Sequence, residues 1–351
     1  MLRLLPALRS AALLLACLLQ VAPAVPRKSV PLVEPPSYAE RADAMRFADE
    51  VAERRALDPA WVRQALGQAR LAPAATKFIM PAASGIAKNW SAYRARFIEP
   101  ARVQAGAAFW DANAAWLAKA EAETGVPAQI VVGIVGVETL YGQHMGSFRA
   151  IDALATLAFD FPTGRSDRSA FFRSELESLF VLCDKSRLDP LALNSSYAGA
   201  LGMPQFMPSS WLRWAVDFDA DGRVDLHASA ADVIGSVANY LAAFGWVRGM
   251  PTHFDAQPPA ELRDRALMLV ADVTPTFSAA EFAERGARLA PEGQGFDGKL
   301  ALLELQNGDA APSYAAGTQN FYAITRYNQS SYYAMAVIEL GRAVARERTP
   351  G

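Results

Sequence analysis

Cysteine and histidine are scarce in this chain. Two cysteines, Cys17 and Cys183, and three histidines, His144, His227 and His253, are spread over 351 residues. The scattered histidines argue against a histidine-rich zinc site. An excess of charge is also missing: 34 basic residues stand against 36 acidic ones, for a net charge of −2. With no basic stripe, nucleic acid is excluded as a partner. The apolar run from Ser10 to Val21 is too short for a confident transmembrane span.

What is present is core-forming material. Hydrophobic residues make up 52% and charged ones 20%, enough for a large core, and the length suits two or three domains. The N-terminus reads as an export signal, with Arg3 and Arg9 ahead of the apolar run and the small-x-small site Ala22-Pro23-Ala24 after it. Leu14-Leu15-Ala16-Cys17 spells an imperfect lipobox. Cleavage after Ala24 and lipid anchoring at Cys17 to an outer membrane are therefore two readings of one segment. Both deliver the chain to an oxidising, periplasmic compartment. Removal of the signal leaves Cys183 without an intramolecular partner, and its apolar setting predicts a buried, inert thiol.

The pattern downstream is helical. Residues 25–37 are proline-rich and form a tether. Amphipathic stretches follow over 38–55 and 59–70, the second opened by Asp58-Pro59. A longer helix is expected over 100–123, stopped by Gly125, and another after Pro127. Residues 166–186 continue the theme, with Phe171, Leu176, Leu179 and Phe180 as a core stripe. Ser229 and Asp232 form a capping box for a helix running to Gly245. Residues 250–317 read as a small strand-rich insert with one short helix over 278–285, its apolar runs being 267–273 and 300–305. A last helix spans 330–346, and the pair Tyr332-Tyr333, suited to cleft or core, reads as core. The fold class is thus mainly α with a small β insert.

Glu138 is the residue that carries chemistry. It ends the run Val131-Val132-Gly133-Ile134-Val135-Gly136-Val137. A carboxylate in apolar surroundings is costly as the anion, so its pKa rises and it can serve as an acid near neutral pH. The plain alternative is the first polar residue after a buried segment. A second element, residues 194–210, is dense in small residues, amides and exposable apolar side chains. Sugar sites need that mixture of hydrogen-bonding groups and flat apolar faces.

Taken together, these motifs resemble the lytic murein transglycosylases, in their membrane-bound B type. The resemblance runs from about Trp90 to Val344. It rests on Tyr93-Arg94-Ala95-Arg96-Phe97-Ile98, Val132 through Thr139, Ile151 through Leu157, Tyr197-Ala198-Gly199-Ala200, Gln205 through Ser210, Gly235 through Tyr240, and Thr325-Arg326-Tyr327-Asn328. It implies a lysozyme-like core at 126–249, a helical domain at 38–125, a β-rich domain at 250–317 and a return to the core at 318–346. It further implies Glu138 as the catalytic acid and base, with Tyr93, Ser196, Gln205, Tyr240, Tyr327 and Asn328 in the cleft. Met203-Pro204 stands where the family often has an aromatic-glycine pair, which puts one sugar subsite's shape in question. The implied reaction cleaves the β-1,4 bond between N-acetylmuramic acid and N-acetylglucosamine and leaves a 1,6-anhydro end, with no cofactor. A lysozyme-type hydrolase and a noncatalytic peptidoglycan-binding protein are the alternatives. Peptidoglycan strands are the expected partner and a monomer the expected state.

A second site is legible in Asp217, Asp219, Asp221 and Asp225, at positions one, three, five and nine of a calcium-type loop with Gly222 at six. Ala228 stands at position twelve, where a glutamate is expected, so Asp232 is the nearest closing acid. The candidate ligand set is Asp217, Asp219, Asp221, Arg223 and Asp232. A structural Ca2+ and a solvated acidic turn are the two readings.

Overall fold

A computed structural model describes residues 35–81 and 88–348. The cleavage site after Ala24, the lipobox cysteine Cys17 and residues 25–34 of the tether lie outside the described residues.

Three helices come first: α1 (Ala42–Arg55), α2 (Pro59–Gly67) and α3 (Pro73–Phe78). The Asp58 side chain accepts the Ala60 N–H at 2.9 Å, which starts α2 with proline at its first position. Such a cap is worth about 1 kcal/mol. Then come α4 (Trp90–Ala95), α5 (Pro100–Ala112) and α6 (Ala114–Thr124). The long helix expected over 100–123 is therefore two. Asn113, at φ −121°, leaves the helical region and donates its side-chain amide to the Phe109 carbonyl. That local bond competes with helix continuation. Gly125, at φ 76°, ends α6 as its composition suggests.

The centre of the protein is α7 (Ala128–Thr139), buried from Ile130 through Gly136. After β1 (Phe148–Arg149) come α8 (Ala150–Phe159), α9 (Ser169–Ser186), β2 (Asn194–Ser195), α10 (Pro208–Trp214) and α11 (Ala230–Ala243). The two short strands pair antiparallel, Phe148 opposite Ser195. On α9, Leu176, Leu179 and Phe180 are buried, but Phe171 is exposed under the Arg168 guanidinium, against the core role expected of it. Cys183 is buried on the same helix, and burial pushes its thiol up to about 12.

The β-rich segment holds β3 (His253–Gln257), α12 (Leu262–Leu269), α13 (Ala279–Glu284), β4 (Arg288–Leu289), β5 (Ala301–Asn307) and β6 (Ala310–Gly317). Its antiparallel sheet has the order β4-β3-β6-β5. A small core of Met268, Phe282, Leu289, Leu300 and Leu302 sits under it. The apolar run at 267–273 is not a strand. On α12 the helical period turns Met268 inward and leaves Leu267 exposed, Val270 just past its end is exposed, and Val273 is buried in the turn that follows. The insert thus holds a second helix that its composition did not disclose. The chain closes with α14 (Gln319–Thr325) and α15 (Ser331–Arg348).

Helix α15 packs against α7 through glycine. A β-carbon at Gly133 would strike the Val337 carbonyl, and one at Gly341 would strike the Gln129 carbonyl. This close approach delivers the start of α15 to the end of α7. The N-terminal helices are tied to α8 and α9 by charge. Asp160 accepts from the Tyr38 hydroxyl at 2.7 Å and from Arg41 at 2.6 Å. Asp152 accepts the Arg70 N–H at 2.8 Å and pairs with Arg149. Glu177 pairs with Arg54 and Arg55.

Candidate active site

Glu138 occupies the last turn of α7, which ends on Leu140 in the left-handed region at φ 50°. Its Oε1 accepts a hydrogen bond of 2.6 Å from the Tyr333 hydroxyl. Burial pushes its carboxyl up to about 7 from an ordinary 4.5, and the bond from Tyr333 pulls in the opposite direction. Among the described residues no lysine or arginine is paired with it. Desolvation therefore sets the balance, and the hydroxyl moderates it.

The sequence reads Tyr333 as core, and in burial it is. It is buried on the first turn of α15, yet its hydroxyl is the direct partner of the acid. The signal that could have exposed it is general: a buried tyrosine hydroxyl needs a hydrogen-bond partner. Tyr332, beside it, points elsewhere, donating to the Gln306 carbonyl at 3.0 Å.

An aromatic wall continues from Tyr333. Its ring lies 6.4 Å from that of Tyr327, nearly parallel at 15°. Tyr327 lies 4.8 Å from Tyr240, and Phe206 backs both. The hydroxyls are anchored: Tyr240 donates to the Arg326 carbonyl and Tyr327 to the Pro204 carbonyl, each at 2.6 Å. Burial first, and the charge of Glu138 second, push the Tyr327 hydroxyl well above its ordinary range. These phenols stay neutral donors.

The turn at 202–206 is locked to α7. Thr139 donates through Oγ1 to the Met203 carbonyl at 2.8 Å. Gln205 adopts φ 52°, and its side-chain nitrogen donates to the Gly202 and Met145 carbonyls. Ser196 accepts the Ala200 N–H at 3.2 Å in the preceding turn. Tyr93 on α4 packs among Trp90, Phe97 and Tyr332. Burial raises its pKa; the charge of Arg96 opposes the rise and that of Glu138 adds to it. Asn328 is exposed in the loop between α14 and α15. The geometry thus gathers Glu138, Tyr333, Tyr327 and Tyr240 directly and sets Gln205 and Ser196 in turns around them.

The first two carboxylates that follow Glu138 in sequence are committed elsewhere. Asp152 and Asp160 are each held by arginine in the ties to the N-terminal helices. Neither is free to act as a second acid at the cleft.

In the acidic loop, carboxylate oxygens of Asp217, Asp219 and Asp221 lie within 4.8 Å of one another, all on exposed residues. Three like charges at that spacing repel, and hard oxygen donors of this kind suit Ca2+. The other two members of the candidate set do not join by their side chains. Arg223 turns its guanidinium onto Asp221 at 3.3 Å. Asp232 is buried, and its two oxygens accept the Phe218 and Asp225 N–H groups at 2.8 and 2.7 Å. The capping box is accordingly half formed. Ser229 accepts the Asp232 N–H, while the Asp232 carboxylate pins the loop.

The chain matches the family described as Transglycosylase SLT domain over residues 39–342. It is 39% identical over 321 residues to the membrane-bound lytic murein transglycosylase B of Escherichia coli K12, covering 89% of this chain and 85% of that protein. In structure it is similar to the Escherichia coli lytic transglycosylase Slt35 in complex with calcium, with TM-score 0.78 and 37% identity across 90% of this chain and 96% of that one. It is also similar to SltB3 from Pseudomonas aeruginosa in complex with NAG-NAM-pentapeptide, with TM-score 0.73 and 30% identity across 90% of this chain and 80% of that one.

Proposed function

This chain belongs to the transglycosylase SLT-domain family, and from that premise we propose that Glu138 is the single acid and base of a lytic murein transglycosylase. The substrate is the peptidoglycan strand, cut at the β-1,4 bond between N-acetylmuramic acid and N-acetylglucosamine. The fold is the mainly helical, lysozyme-like one, divided into a helical part at 38–125, a core at 126–249 and 318–346, and a β-rich part at 250–317.

Protonated Glu138 donates to the glycosidic oxygen as the bond to C1 breaks. The 2-acetamido group stabilises the cation, assisted by Ser196. The Glu138 carboxylate, now holding the Tyr333 hydrogen bond as an anion, removes the proton from the C6 hydroxyl. O6 closes on C1 to give the 1,6-anhydro ring, and the carboxyl is protonated again. No water is consumed, and the intramolecular attack has a high effective concentration. Tyr240 and Tyr327 line the cleft beside the acid, with Gln205, Tyr93 and Asn328 as further sugar contacts.

The observation that carries this reading is the Glu138 carboxyl accepting a hydrogen bond of 2.6 Å from the Tyr333 phenol, with desolvation pushing it up to about 7. Two-carboxylate hydrolysis needs a second acid flanking the bond. Mass spectrometry of muropeptides released by the purified protein is expected to show 1,6-anhydromuramyl ends. Reducing ends alone would make the protein a hydrolase.

No cofactor takes part in the chemistry. Asp217, Asp219 and Asp221 would hold a Ca2+ that neutralises their mutual repulsion and fixes the loop ahead of α11. Binding to the folded state alone stabilises it by mass action, about 2.7 kcal/mol at a hundredfold excess over Kd. Millimolar Ca2+ is expected to raise the melting temperature by several degrees, and Asp219→Asn to remove that increment. A melting curve blind to Ca2+ and to a chelator refutes the site.

Among the described residues no helix is long and apolar enough to cross a membrane. Export by the N-terminal signal to the periplasm, as a monomer, completes the proposal; the relative's name says only that that protein is membrane-bound. The intact mass of the mature protein separates cleavage after Ala24 from an outer-membrane lipid anchor on Cys17.

A further inference from the structure

Three aromatic rings stand together beside the turn that holds Ser196. Phe78, at the end of α3, is 53% exposed, and Tyr197 is 38% exposed. Phe78 meets Phe148 edge to face at 6.2 Å and Tyr197 at 5.8 Å. Large apolar side chains left in water as a cluster mark a binding surface more often than scattered single ones do.

The cluster is continuous with the catalytic machinery through the backbone. Tyr197 directly follows Ser196. Phe148 pairs with Ser195 in the β1–β2 register. The loop leading from α7 to Phe148 presents the Met145 carbonyl that accepts from Gln205. Gly146, at φ 93°, lets that loop press on the Ser195 carbonyl, where a β-carbon would collide. A strand lying against Ser196 and Gln205 is thereby led onto the three rings.

We propose that Phe78, Phe148 and Tyr197 form an outlying subsite that stacks on a sugar ring of the same peptidoglycan strand, several units from the bond that is cut. This rests on the glycan-cleaving reading of the cleft. A pyranose carries an apolar face of C–H groups, and an exposed aromatic face is its physical complement. The cluster is aromatic rather than aliphatic and adjoins, along the backbone, the Ser196 hydroxyl and the loop that accepts from the Gln205 amide, so a glycan is favoured over a protein partner. The subsite contributes affinity for long strands and touches no reacting atom.

The test uses the full chain carrying Glu138→Gln, so that bound strands are not consumed. Calorimetry compares strands of many disaccharides with a single disaccharide, for Phe78→Ala, Tyr197→Ala and the conservative Tyr197→Phe. Each alanine variant is expected to lower the ratio of long-strand to short-strand affinity about 3- to 10-fold, the scale of one lost aromatic contact. Tyr197→Phe is expected to retain the ratio. An unchanged ratio in both alanine variants overturns the subsite. So does an equal loss on long and short strands, which would mark packing damage. A failure of the cleft reading shows separately, as undiminished turnover when Glu138→Gln is assayed for muropeptide release.

Discussion

Glu138→Gln is expected to lower muropeptide release by at least about 1,000-fold, because in the proposed reaction one side chain performs both proton transfers. A positioned acid or base contributes roughly 100- to 10,000-fold for a single transfer. The amide keeps the shape and can still meet the Tyr333 hydroxyl, so binding to glycan is expected to survive. The same change is expected to stabilise the fold at alkaline pH. The Glu138 carboxyl titrates at about 7 when folded, against an ordinary 4.5. Between those values the folded state holds the proton more tightly than the unfolded one, so stability falls as pH rises through that window. Below 4.5 the carboxyl imposes no such penalty, and above about 7 the penalty is complete. At one pKa unit per 1.36 kcal/mol it amounts to about 3 kcal/mol. Melting of Glu138→Gln at pH 8 is expected to lie above that of the parent, with the two converging near pH 4. Turnover within tenfold of the parent would remove Glu138 from the chemistry.

The second large effect belongs to Tyr333. The acid must be protonated to begin, so kcat/KM is expected to fall tenfold per pH unit above about 7. The Tyr333 hydroxyl stabilises the anion and so lowers that pKa. Tyr333→Phe keeps the ring beside Tyr327 and deletes only the donor. The alkaline limb is expected to move to higher pH. The rate on the plateau is expected to drop about 10- to 100-fold, since a hydrogen bond to a charged group is worth about 1.5–3 kcal/mol. A merely structural tyrosine would leave the limb in place. A limb that stays still, or moves to lower pH, removes Tyr333 from the proton transfer.

Much of this protein is readable along the chain. Asp58-Pro59 and Gly125 mark helix ends because capping satisfies backbone groups within a few residues. Where two local rules compete, reading is weaker. Asn113 breaks a helix that propensity would continue, and Asp232 spends its carboxylate on Phe218 and Asp225 instead of its own cap. The run at 267–273 was ambiguous for another reason: short apolar stretches do not separate strand from helix. Exposure of Leu267 and Val270 follows from the helix chosen, not from their hydrophobicity.

The sequence by itself determined the acid. One carboxyl in an apolar helix is costly wherever that helix is buried, and the cost alone makes it chemically unusual. Tertiary structure decided what the acid meets. Tyr333 lies 195 positions away, and no local periodicity links it to Glu138. Their contact arises because Gly133 and Gly341 let α7 and α15 approach backbone to backbone, which only the assembled core can bring about.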